Sequence, residues 1–139
     1  MDSITIRHLR DSAALMPTGD HGPVEAFYGR LFELAPEVRP LFSREIGLQA
    51  KKLSEMLEWV IEHLEQPDEL VTELRKLGAR HSEYGVEINH YAPVGSALIW
   101  MFQQTLGGRF TPEMEDAWVE AYAFISSEME RGFREQPAG

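Results

Sequence analysis

The sequence predicts an all-α protein. Apolar residues recur at steps of three and four along almost the whole chain, and no run of strict alternation is long enough for a strand. Proline, glycine and capping residues also cut the chain into helix-length pieces.

Taken in order, a short opening helix runs through Ile6, Leu9 and Ala13 and stops at "MPTGDHGP", where Pro17, Gly19, Gly22 and Pro23 interrupt it. "VEAFYGRLFELAP" then sets Val24, Phe27, Tyr28, Leu31 and Phe32 on one stripe, and Pro36 and Pro40 punctuate its exit toward "LFSREIG". From Gln49 to Glu65 a wide stripe of Leu53, Met56, Leu57, Val60, Ile61 and Leu64 opposes a wet side of Lys51, Lys52, Glu55 and Glu62. "QPDEL" restarts the chain with Asp68 as the cap, and Gly85 supplies a left-handed stop. "NHYAPVG" opens the next helix, with Pro93 near its first turn and Val94, Leu98, Met101, Phe102 and Thr105 or Leu106 facing inward until "GG". In "FTPEMEDAW", Thr111 caps, Pro112 takes the first helical position, and Glu113, Glu115 and Asp116 complement the helix dipole. Trp118, Ala121, Tyr122, Ile125 and Met129 form the buried stripe that follows.

A chain of 139 residues suits one domain, expected over residues 1–134 with a short tail at 135–139. Thirteen basic against 23 acidic residues give a net charge of -10, which repels nucleic acid phosphates and anionic headgroups, so neither nucleic acid nor membrane is an expected partner. The absence of cysteine excludes disulfides and thiolate chemistry. "MDSITIRHLRD" lacks the layout of a secretory signal, and a cytoplasmic protein is the expectation. Neither a glycine-rich phosphate loop nor a serine nucleophile elbow is present.

One side chain departs from the pattern. Leu70, Leu74, Leu77 and His81 follow at steps of four, three and four, so an imidazole shares a face with three leucines. As a helix-end histidine near the negative pole of the dipole, a protonated ring would contribute a few tenths to about 1 kcal/mol. Among leucines, however, a charged ring loses hydration and a neutral one needs a partner for its bare nitrogen, which a metal ion would supply. The second nitrogen can donate to a carbonyl one turn earlier, near Leu77, fixing the tautomer. His8, His21, His63 and His90 show no ligand-like pairing, so a zinc site is not expected.

The surroundings carry a resemblance. "LGARHSEYGVEINHYAPVGSALIWMFQQTLGGRFTPEMEDAWVEAYAFI" resembles the back half of globins, in particular bacterial single-domain globins, the haem domain of flavohaemoglobins and neuroglobin-like proteins. "HGPVEAFYGRLFELAPEVRPLF" resembles the second globin helix and the turn after it, and the likeness spans roughly residues 20 to 133. The resemblance implies a globin fold around haem b (iron protoporphyrin IX), with His81 as the proximal iron ligand and Phe42 against the porphyrin. Tyr28 and Gln49 match the two distal positions, with Leu53 one turn beyond, and would donate hydrogen bonds to a partly anionic bound oxygen. Read without the resemblance, Tyr28 is a stripe aromatic and Gln49 a solvent-facing residue. Leu77, Val86, Val94 and Tyr122 are implied contacts to the macrocycle, although apolar stripe residues would be buried anyway, and Lys52 is either a propionate contact or a solvated lysine.

Tyr91, ten residues after His81, matches a proximal tyrosine that in flavohaemoglobins partners a glutamate near the end of the last helix. The matching place here is Phe133, so that network is expected to be incomplete, and no flavin or nicotinamide module follows within these residues. The resemblance implies diatomic gas ligands, oxygen first. It leaves a reversible oxygen binder, for transport, storage or sensing, in competition with a nitric oxide dioxygenase served by a separate reductase. A globin-shaped interaction module without haem is the third reading, which His81 and Phe42 disfavour. The sequence leaves the oligomeric state open.

Overall fold

A computed structural model describes residues 1–17, 19, 21–42, 45–83 and 85–135. The expected tail lies, after Glu135, outside them. Six α-helices follow one another among the described residues: α1 Ser3–Leu15, α2 Gly22–Leu34, α3 Ile46–Glu62, α4 Pro67–Glu83, α5 Tyr91–Leu106 and α6 Pro112–Arg134. Tight 3-10 turns at Pro36–Leu41, Ile88–His90 and Gly107–Arg109 join them, and no strand occurs among the described residues. No helix is long and apolar enough to cross a membrane among the described residues.

The helix ends follow local chemistry. Asp2 caps α1 by accepting from the Thr5 amide at 2.8 Å, and Thr111 caps α6 by accepting from the Met114 amide at 3.1 Å. Gly85 and Gly107 take positive φ angles of 87° and 54°, the left-handed turns that end α4 and α5. Two boundaries differ from the sequence reading. α3 begins at Ile46 and ends at Glu62, leaving the buried Leu64 beyond the helix. α4 begins at Pro67, whose fixed φ and missing amide hydrogen suit the first helical position, so Asp68 lies inside the first turn and complements the dipole instead of capping.

The main helix contacts are α4 on α6, α2 on α5, α1 on α6 and α2 on α3; α3 against α4 is not among them. Leu9, Leu31, Leu70, Leu74, Met101, Phe102 and Trp118 are all buried at 2% exposure or less. One polar chain crosses this core. The Trp118 indole donates to Ser12 Oγ at 2.7 Å, and Ser12 donates to the Leu9 carbonyl at 2.9 Å, tying α6 to α1. Ser12→Ala would leave a buried indole N–H unpaired at a cost of about 1–3 kcal/mol. Thermal unfolding of the variant should shift down by roughly 5–10 °C. A midpoint equal to that of the natural chain would show that this bond contributes nothing net.

Candidate functional site

His81 stands in the last turn of α4, and its Nδ1 lies 2.8 Å from the Leu77 carbonyl. A carbonyl only accepts, so Nδ1 carries the hydrogen and the lone pair belongs to Nε2. Burial holds the imidazole below its ordinary value of 6.5; the bond to Leu77 opposes this, and the Arg80 charge adds to it. The ring is therefore neutral at neutral pH, the form that ligates metals.

The apolar residues that the resemblance singled out are all half-buried: Leu77 on α4, Val86 after it, Val94 on α5, Tyr122 on α6, Leu53 on α3 and Phe42 at the turn. Leu74 and Leu70, one and two turns before Leu77 on α4, are fully buried in the core. The contrast marks a change along α4 from packed interior at Leu70 and Leu74 to a half-buried face at Leu77 and His81. A neutral imidazole on the same helix face as the half-buried Leu77 fits a flat, largely apolar group that carries a metal.

On α2, Tyr28 is buried within an aromatic cluster. Its ring centroid lies 5.0 Å from Phe27 and 5.3 Å from Phe42, both edge-on, and Phe32 lies 5.4 Å from Phe42. The Tyr28 hydroxyl points to the backbone carbonyl of Gln49 at 3.5 Å, a long hydrogen bond that brings the two expected distal residues together. Gln49 is half-buried, not solvent-facing, and Lys52 is exposed.

Burial pushes the Tyr28 phenol from 10.0 up to about 12. The folded protein thus holds this proton more tightly than the unfolded chain. The associated stability is complete below pH 10 and is lost as pH rises toward about 12. In haem-free protein, an ultraviolet titration of the natural chain minus Tyr28→Phe should show no phenolate below about pH 11. A difference signal centred at pH 10 would contradict a buried hydroxyl.

At the start of α5, Tyr91 is 6% exposed, and its hydroxyl is buried with no hydrogen-bond partner among the described residues. Tyr122 donates to the Tyr91 carbonyl at 2.5 Å. Its ring occupies the space over Gly95, where a Cβ would lie 2.7 Å from it. Burial raises both phenols. The Glu130 carboxylate raises them further, and for Tyr122 the Tyr91 side chain does as well. The carboxylate whose charge bears on these tyrosines is thus Glu130, although position 133 is phenylalanine. Sequence reasoning missed Glu130, which stands one turn before Phe133 on α6; searching a full turn either side of the expected position would have found it.

Two open clefts lie elsewhere. One of about 460 Å³ is lined by Trp59, His63, Asp68, Glu69, Thr72 and Glu73 at the α3–α4 corner. A second of about 290 Å³ lies beside Met16, His21, Leu57 and Phe102. None of these residues was singled out from the sequence as a site residue.

Comparison with known proteins places this geometry. A nitric oxide dioxygenase proposed for Rhodothermus marinus, solved as an engineered carbene transferase, superposes with a TM-score of 0.85 at 25% identity over 97% of this chain and 94% of that one. The fold thus defines an all-helical class shared with bacterial proteins of that kind. The family model for Globin matches residues 25–129, and the chain belongs to the globin family, the haem proteins that bind small gaseous ligands. Among curated relatives, a flavohemoprotein of Rhodopirellula baltica is 30% identical over 88% of this chain, which spans only 31% of that protein. A neuroglobin of Tetraodon nigroviridis is also 30% identical, over 81% of this chain and 79% of its own length.

Proposed function

We propose that this globin binds oxygen reversibly and tightly at ferrous haem b, with His81 as the proximal ligand. The observation that carries the reading is the bond from His81 Nδ1 to the Leu77 carbonyl, which fixes the ligating tautomer. Haem, when bound, supplies the iron that takes the gas. Tyr28 and Gln49 serve the opposite face as neutral hydrogen-bond donors, each contributing about 1 kcal/mol, and Leu53 closes the pocket beside them. Phe42, Leu77, Val86, Tyr91, Val94 and Tyr122 would hold the macrocycle by apolar contact, and the exposed Lys52 would pair with its carboxylates. With glutamine rather than histidine at position 49, no second strong nitrogen ligand stands on that face.

The test is the visible spectrum of the reduced protein, alone and with oxygen. The expected result is a five-coordinate ferrous spectrum that converts reversibly when oxygen is admitted. A six-coordinate spectrum without added ligand, or failure to take up added haemin, would overturn the proposal.

The charge of Glu130 acting on Tyr91 and Tyr122 favours a second reading, nitric oxide dioxygenation with a separate reductase as partner. The activity named for the Rhodothermus relative supports it as well. Sustained nitric oxide consumption with an added electron donor selects this reading, whereas one reaction per haem selects the binder.

A further inference from the structure

α4 and α6 cross backbone to backbone at two glycines. A Cβ built on Gly78 would lie 1.9 Å from the Met129 carbonyl oxygen, and one built on Gly132 would lie 1.9 Å from the Arg75 carbonyl oxygen. The contact is reciprocal, since each glycine rests on the residue three before the other. Helices with ordinary side chains at the crossing stand about 8–10 Å apart, and only small residues admit a closer approach. A charge pair spans the same crossing: Arg75 Nε on α4 donates to Glu128 Oε2 on α6 at 2.9 Å, while Arg131 Nη1, on α6 itself, lies 4.0 Å from Glu128 Oε1. Glu128 is only 8% exposed, so the pair is partly desolvated and resists separation.

His81 stands three residues after Gly78, about 4.5 Å further along the same rigid helix. We infer that the Gly78–Gly132 crossing sets the seat of the His81 imidazole, making both glycines positioning residues for the proximal ligand; this rests on the haem reading above. A methyl at either position forces the backbones apart by roughly 1.5 Å before van der Waals contact is restored. A displacement of that size carries α4, and with it the imidazole, away from the geometry a coordinate bond requires.

The experiment is resonance Raman spectroscopy of the reduced haem-loaded protein, reading the iron–histidine stretching band, together with the rate of haem transfer to an acceptor protein. Gly78→Ala is expected to lower the band frequency and to speed haem loss by about tenfold. Glu128→Gln loosens the pair without adding atoms and covers the case in which the alanine variant does not fold; it should shift the band in the same direction by less. Gly108→Ala is the control, because a Cβ there meets nothing within 4 Å, and its band should match that of the natural chain. An unmoved band in Gly78→Ala or Glu128→Gln, whatever the change in thermal stability, would reduce the crossing to a structural feature, and an equal shift in Gly108→Ala would do the same. A natural chain that takes up haemin but shows no iron–histidine band would overturn the haem reading itself, which separates the two failures.

Discussion

His81→Ala is expected to lose haem on purification and to weaken haem affinity by at least about 100-fold. Groups that merely orient a metal-binding histidine are already worth 10–100-fold, and removing the ligand itself should cost no less. The fold should survive. α4 is held by Leu70 and Leu74, both at 1% exposure or less, and by the glycine crossing with α6, none of which involves the imidazole. Alanine is also the better helix former. Far-ultraviolet circular dichroism should therefore match that of the natural chain, while the haem absorption band is lost and then restored by free imidazole in the buffer. Unchanged haem stoichiometry and an unchanged band position in the variant would take His81 away from the metal.

Tyr28→Phe should release oxygen about tenfold faster, equivalent to about 1.4 kcal/mol. That is the size expected for one neutral donor lost from a site with little water to replace it. The cost to the fold should be far smaller, because among the described residues the hydroxyl bonds to the Gln49 carbonyl at 3.5 Å, near the limit of a hydrogen bond. The aromatic cluster with Phe27, Phe32 and Phe42 keeps its rings in the variant. Stopped-flow release of oxygen and thermal unfolding, measured on the same preparation, separate the two effects. Equal release rates for the two proteins would mean that another side chain faces the gas.

Much of this was legible in the sequence because it depends on residues within one turn of each other. The 3.6-residue period set the buried faces of α2 and α5, and Thr111 followed by Pro112 marked the start of α6. The leucine stripe placed His81 on an apolar face, and the carbonyl four residues earlier supplied its bond. Tyr28 and Gln49 are different. Nothing local to either residue pairs them, and only the resemblance to globins placed them together before the packing of α2 on α3 brought them within 3.5 Å.

By itself, the sequence determined which segments are helices, the Thr111 cap, the stops at Gly85 and Gly107, the family, and the one imidazole on a leucine face. Tertiary structure alone decided that Ser12 would satisfy an indole 106 residues away, that the charge of Glu130 would act on Tyr91 and Tyr122, and that Gly78 and Gly132 would let two backbones touch. The reason is one of range. Periodicity and capping act across about four residues, whereas which faces meet, and how closely, depends on side-chain volume and charge from distant parts of the chain packed to solid-like density.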